Sequence, residues 1–288
     1  MPKGTENMQK CIKILLSVFI IMTMLFCFFG CSCGDTTDNE IIPASLDILK
    51  IGKADCIIIN TGSKIVMIDT GEAENYDIID DYMSNKGYNT IDTLILTHYD
   101  KDHIGGASEL ILNYNVATVI ESKFDDSTVE YINYHNTIYS QNSTLMKLTE
   151  NYKFIYDSCE FEIDIPKKNK YEVKQDNNTS LIISMKCGEK RFLFCGDAME
   201  LRLEEFINEK YGCYDLAKLP YHGNYLENYR DFLSSTKISY GIITDSKKNP
   251  ASNETLSLLT ECGIATYQTR NGLVSISTDG KEIIIYQK

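Results

Sequence analysis

Missing from this chain of 288 residues are a phosphate-cradling P-loop, a dinucleotide-binding glycine fingerprint and a Gly-x-Ser-x-Gly turn, which removes the usual signatures of nucleotide, hydride and serine-hydrolase chemistry. Histidine occurs only four times. Of ten cysteines, none forms a CxxC pair, which argues against a sulfur-ligated metal. Cys11, Cys27, Cys31 and Cys33 lie in or beside an apolar N-terminal run. Cys56, Cys187 and Cys195 sit inside apolar strand-like runs, where a free cysteine acts as a small hydrophobe. With Cys159, Cys213 and Cys262, one or two disulfides are compatible with an extracellular setting, and the spacing specifies no pairing. Basic residues are also scarce: 28 Lys and Arg face 41 Asp and Glu, for a net charge of −13. A field of that sign repels polyanions and releases no counterions from them, so tight non-specific DNA binding is not expected. No repeat of 20 to 50 residues is present.

What is there begins with an export signal. Lys3, Lys10 and Lys13 precede an uncharged apolar run, residues 14–29, that ends in Gly30-Cys31; a basic region, an apolar region and a small residue form that signature. Gly30-Cys31 resembles the cleavage and lipidation site of bacterial lipoproteins, with the rival reading of an uncleaved anchor over residues 14–34. The expectation is a signal over 1–30, a tether over 31–44 and a globular domain over 45–288, outside the cytoplasm and held at the membrane. Losing residues 1–30, with three lysines and one glutamate, would make the remainder more negative.

The globular part opens with β-branched runs at 46–51, 55–60 (DCIIIN) and 64–69 (KIVMID), separated by glycines, which predicts a strand meander. Residues 73–86 carry Tyr76, Ile79 and Tyr82 at helical spacing and stop at Gly87. A strand at 91–96, a helix at 104–114 and a strand at 116–121 follow. Residues 123–178 are polar, with one helix expected at 127–139. A second strand-rich half starts with a hairpin at 180–185 and 191–195. It continues with a helix at 199–209, strands at 216–219 and 238–244, a helix at 254–261 and closing strands at 265–268, 274–277 and 282–286. Two strand-plus-helix halves predict an α/β fold of two sheets face to face with helices outside, an αββα sandwich.

The run Thr97 to Gly106, THYDKDHIGG, holds half of the histidines in six positions. His98, Asp100 and Asp102 stand at i, i+2 and i+4, so in an extended segment they share one side. Asp102 is placed to cap the following helix, and His103 is adjacent. Two carboxylates and two imidazoles this close are costly without a cation, and the spacing suits two metals better than one.

HxDxDHxGG resembles the HxHxDH signature of the metallo-β-lactamase fold, in the variant that marks the soluble domain of the competence protein ComEC. Gly52-Lys53-Ala54-Asp55 resembles the Gly-Gln-Gly-Asp turn of that family. Ile68-Asp69-Thr70-Gly71 is similar to its Asp-x-Gly strand end, and Asn178-Thr179-Ser180-Leu181 with Gly196-Asp197 to its hairpin and Gly-Asp element. Leu219-Pro220-Tyr221-His222-Gly223 resembles its Pro-His-His-Gly segment.

The resemblance implies that His98 and Asp100 hold one divalent cation and Asp102 and His103 a second. Asp197 would bridge them and His222 complete the set. It implies Asp69 as a hydrogen-bond acceptor orienting an imidazole, Lys218 facing a developing negative charge, and a water activated by the cations as nucleophile. Tyr221 replaces the first His of His-His-Gly, and Asn249-Pro250 stands where the family has His-Pro. The resulting carboxylate-rich site suits Mn²⁺ as well as Zn²⁺. Asp55 reads as a turn residue and His135 as a helix-surface residue. The function expected is an exported metallohydrolase of phosphodiesters, acting on small molecules or short nucleic acids. The alternatives are a hydrolase of small lactones, lactams or esters and a metal-binding surface lipoprotein of weak activity.

Overall fold

The structure, a computed structural model, describes residues 42–172, 175–209 and 212–288. The signal and Gly30-Cys31 lie outside the described residues.

The first half runs β1 (Ala44–Ile48), β2 (Ile57–Asn60) and β3 (Ile65–Ile68), then helix α1 (Tyr76–Lys86), β4 (Thr90–Ile95), α2 (Lys101–Ile104), α3 (Ala107–Asn113), β5 (Asn115–Glu121), α4 (Val129–Gln141) and β6 (Thr144–Lys147). The second half runs β7 (Tyr152–Tyr156), β8 (Cys159–Asp164), α5 (Gln175–Asn178), β9 (Ile182–Cys187), β10 (Lys190–Phe194), α6 (Glu200–Glu209), β11 (Leu216–Lys218), α7 (Tyr229–Thr236), β12 (Tyr240–Ile243), α8 (Asn253–Glu261) and β13 (Ala265–Gln268). Strands β14 (Val274–Thr278) and β15 (Ile283–Gln287) close the chain.

Among the described residues these strands form two sheets, ordered β15-β14-β1-β2-β3-β4-β5-β6 and β13-β12-β11-β10-β9-β8-β7. Each has an antiparallel meander feeding a parallel run, β3 to β6 in one and β10 to β13 in the other. The closing strands do not extend the second sheet. They return to the first, where β14 pairs with β1 in antiparallel register.

Alternation along the strands builds the layers. Ile57 and Ile59 of β2 join Val66, Phe161, Ile183, Phe192 and Phe194 in a core between the sheets. Ile58 points the other way and packs with Ile79 and Met83 of α1 and Leu110 of α3. On the far face of the second sheet, Leu193 and Ala217 meet Phe206 of α6, Phe232 of α7 and Leu259 of α8. The expected two-sheet sandwich with outer helices is the architecture observed. Gly87, at φ 71°, ends α1 in the left-handed conformation that favours glycine. Among the described residues no helix is long and apolar enough to cross a membrane.

The polar stretch 123–178 resolves into α4 and the strands β6, β7 and β8. Residues Cys159 and Cys187 face each other in the β8–β9 register and form a disulfide. Cys187 is therefore not the free small hydrophobe expected from its apolar run. Cys56 and Cys195 are free and buried, as expected.

Candidate metal centre

Parallel strands deliver the candidate residues to one end of the sandwich. Asp69 follows β3, His98 follows β4, Asp197 follows β10 and His222 follows β11, all beyond carboxyl ends of strands. Glycines make the approach of these loops possible. A Cβ on Gly105 would lie 2.6 Å from Ala73 N, and one on Gly196 would lie 2.9 Å from Thr97 Oγ1. The Gly-Gly and Gly-Asp elements are thus points of close contact between loops.

His98, His103, Asp197 and His222 are almost wholly buried, and Asp55 and Asp69 with them. Each imidazole is anchored through Nδ1. His103 Nδ1 lies 2.8 Å from Asp69 Oδ2, and His222 Nδ1 lies 2.9 Å from the Thr244 carbonyl. Thr97 Oγ1 donates to Asp69 Oδ2 at 2.7 Å and stands 3.1 Å from His98 Nδ1. Thr97 N also donates to Asp69 Oδ1 at 2.8 Å, so Asp69 organises two of the three rings.

With Nδ1 tied down, Nε2 of His98, His103 and His222 has no hydrogen-bond partner, and neither has Asp197 Oδ1. Asp197 Oδ1 lies 3.4 Å from His103 Nε2 and 3.2 Å from His222 Nε2. Asn177 Nδ2 holds the other oxygen, Oδ2, at 3.4 Å. Donor atoms of His98, His103 and Asp197 lie within 4.8 Å of one another, as do those of Asp102, His103 and His222. Buried polar atoms left unpaired are costly. A shared cation is the partner that imidazole nitrogens and a carboxylate oxygen have in common. The donor set fits divalent metal binding.

The opening motif is divided by its backbone. Asp100 is extended, at φ −63° and ψ 143°, and His98 Nε2 lies 3.6 Å from Asp100 Oδ2. The chain turns helical at Lys101, so Asp102 leaves that side and reaches His222 Nε2 at 3.4 Å. Asp102 is not the helix cap expected from the sequence: Asp100 occupies the cap position, and its side chain makes no capping bond. Both carboxylates therefore remain available to the site.

Charge balance explains the electrostatics. Burial by itself raises the Asp197 carboxyl, but His222 and His103 beside it pull it well below the usual range. Burial lowers His103, while Asp197 and Asp69 outweigh it and hold the imidazole well above 6.5. His222 is raised for the same reason, chiefly by Asp197. Asp102, against burial, is lowered by His222 and His103.

Lys218 is expected from the sequence to face a developing negative charge. Its ammonium is instead fully buried, contacting Asp55 Oδ2 and donating to the Gly196 carbonyl at 2.9 Å, with Asp197 Oδ1 at 3.7 Å. A group so enclosed holds Asp55 and the Gly-Asp loop. Asp55, read as a turn residue, stands inside the cluster with Oδ1 3.5 Å from His222 Nδ1. A buried aspartate beside an apolar strand was the available signal.

Asn249 does not join the site. Asp245 is buried and accepts hydrogen bonds from Ala251 N at 3.0 Å and Gln268 Nε2 at 3.1 Å, folding the loop back on itself. Asn249 is left exposed, with its N–H on Ser246 Oγ at 3.0 Å. His135 is more than a helix-surface residue: its Nε2 lies 3.0 Å from the buried Glu121 carboxylate.

Residues 50–237 match the model of the metallo-beta-lactamase superfamily. The chain is 25% identical over 211 residues to Recombination protein 2 of Haemophilus influenzae, covering 71% of this chain and 24% of the relative. It is 22% identical over 256 residues to ComE operon protein 3 of Bacillus subtilis, covering 82% and 32%. The chain thus spans a third or less of the curated relatives it matches. A metallo hydrolase from Ignicoccus hospitalis, Igni18, shares the fold with a TM-score of 0.53 and 13% identity, over 85% of this chain and 99% of that one. The ComEC likeness carried by the motifs is thereby shown, and the chain belongs to the metallo-β-lactamase superfamily.

Proposed function

We propose that this chain is an exported hydrolase that uses two divalent cations, zinc or manganese, to cleave a phosphodiester or related ester bond. One observation carries the reading: three buried imidazoles, each anchored by Nδ1, leave Nε2 unpaired, and those of His103 and His222 face the unpaired Asp197 Oδ1 at 3.4 and 3.2 Å. His98 and Asp100 would hold one cation, Asp102, His103 and His222 would hold the other, and Asp197 would be shared between the two sets. Divalent cations supply Lewis acidity and make water a nucleophile at neutral pH.

The rest falls to the chain's own residues. Asp69 and Thr97 fix the rings of His103 and His98, and Thr244 fixes His222. Lys218 and Asp55 hold the loop that carries Asp197. Asp100 and Asp102, with side chains 38% and 17% exposed, form the part of the cluster open to an arriving substrate. Likeness to a recombination protein favours nucleic-acid phosphodiesters. The net charge of −13 favours small or short substrates over long duplexes. Export is supported by the apolar run before Gly30-Cys31 and by the Cys159–Cys187 disulfide, a bond typical of oxidising compartments. An N-terminal lipid or apolar anchor would keep the protein at the membrane.

A turnover screen of the metal-reconstituted protein on chromogenic phosphodiesters, esters and lactams tests the reading. Phosphodiester hydrolysis that disappears in Asp102→Asn, with the fold intact, is the expected result. A metal-loaded protein inert on every substrate, or hydrolysis that survives in Asp102→Asn, contradicts it.

A further inference from the structure

The mouth of the cluster is electrically lopsided. On the side of Asp102 stands Lys53, with Nζ 3.9 Å from Asp102 Oδ2 and a side chain 28% exposed. That separation is too long for a hydrogen bond, so the ammonium is paired only loosely. The Tyr221 ring faces the same Nζ at 5.8 Å from its centroid, within cation–π range. Tyr221 and His222 have φ of 49° and 50°, a left-handed conformation that is strained for non-glycine residues. Strain of this kind persists where surrounding contacts impose it, commonly at functional sites.

The side of His98 is built differently. Asp100 is 3.6 Å from the unpaired His98 Nε2. Asp176 belongs to the short helix α5, whose next residue, Asn177, holds Asp197. Burial and then the nearby charges of Asp100 and Asp126 raise the Asp176 carboxyl. Asp126 directs its Oδ1 to Thr128 N at 2.6 Å, which fixes it in place.

We propose that Lys53, backed by Tyr221, is the specificity-determining anion holder of the site, and that Asp176, next to the Asn177 that contacts Asp197, forms an opposing rim that rejects a second negative charge. The substrate class is then a singly charged phosphodiester whose remaining groups are neutral where they pass the rim. With Asp102 engaged as a ligand its carboxylate would be neutralised, and the Lys53 ammonium, 3.9 Å away, would be free for the phosphoryl oxygen. Lys53 and Ala54 stand where the Gln-Gly of the resembling turn would be, so this charge is a property of the present chain.

The proposal rests on the metal-centre reading, and equilibrium binding separates the two. Full-length protein loaded with Mn²⁺ is titrated calorimetrically with dimethyl phosphate, which carries one charge, and with tetrathymidylate, which carries several. Lys53→Met should weaken dimethyl phosphate binding about tenfold, as expected for losing one charged contact, and Lys53→Arg should restore most of it. Asp176→Asn should tighten tetrathymidylate severalfold and change dimethyl phosphate little. Dimethyl phosphate binding that is absent in metal-loaded wild type, or equal in Lys53→Met, overturns the anion-holder assignment. An Asp176→Asn variant with unchanged preference overturns the rejection of a second charge. Wild type that takes up no metal overturns the reading on which both stand.

Discussion

Asp69 Oδ2 accepts a hydrogen bond from His103 Nδ1 at 2.8 Å, and Asp69 itself sits at φ 59° with no solvent exposure. The carboxylate fixes which His103 nitrogen is free to bind a cation. Asp69→Asn keeps the shape and removes the charge, so it should lower metal affinity about 10- to 100-fold, the range for lost partners of ligating imidazoles. Competition with a chromophoric chelator measures this, and unchanged affinity would remove Asp69 from the site's machinery.

Lys218 and Asp55 test a different kind of role. Both are buried, and each is the other's charge partner. Lys218→Met should cost about 3–5 kcal/mol in denaturant unfolding, because it leaves Asp55 buried and unpaired. Adding Asp55→Asn should recover much of that loss. A Lys218→Met protein as stable as wild type but inactive would return Lys218 to a direct catalytic role.

The charge pattern sets a pH dependence. His103 and His222 are raised above 6.5, so their contribution to the stability of metal-free protein is complete below pH 6.5 and is lost as pH rises through the raised values. Asp197 and Asp102 are lowered from 3.8, so their contribution is present above pH 3.8 and is lost as pH falls through the lowered values. Metal must displace the imidazole protons. Metal-free melting temperature should therefore decline above neutrality while metal affinity keeps climbing past pH 7. An affinity already level at pH 7 would mean imidazoles of ordinary basicity.

The Cys159–Cys187 bond joins neighbouring strands across 28 residues of sequence. Replacing both cysteines by alanine should cost about 2–4 kcal/mol. Thiol titration of unfolded, unreduced protein should find Cys56, Cys195, Cys213 and Cys262 reactive and this pair silent. Reaction of all six would refute the bond.

How much could be read beforehand followed physical rules. β2 and β3 are apolar runs cut by glycines, and the motif His98 to Gly106 carries its own chemistry, so the sandwich and the four candidates of that motif were legible. The 123–178 stretch was not, because its strands β6 and β7 are half-exposed and lack a buried alternation. The disulfide was hidden with β8. Asp55 and Lys218 looked like an ordinary turn and strand end, since only the fold brings residues from the two sheets into one buried pair. Asn249 was misplaced because a motif gives order along the chain, whereas Asp245 decides which way the loop faces.

Elemental analysis of Asp197→Ala beside wild type, both purified without chelator, bears most directly on the centre. Wild type should carry about two divalent metals per chain, as a two-metal hydrolytic site requires. Asp197 Oδ1 faces both His103 and His222, at 3.4 and 3.2 Å, so under the proposed reading one carboxylate would serve both cations. Both occupancies should fall together in the variant. Loss of one metal with the other retained would contradict the bridging role, and a wild type that binds none would contradict the metal centre itself.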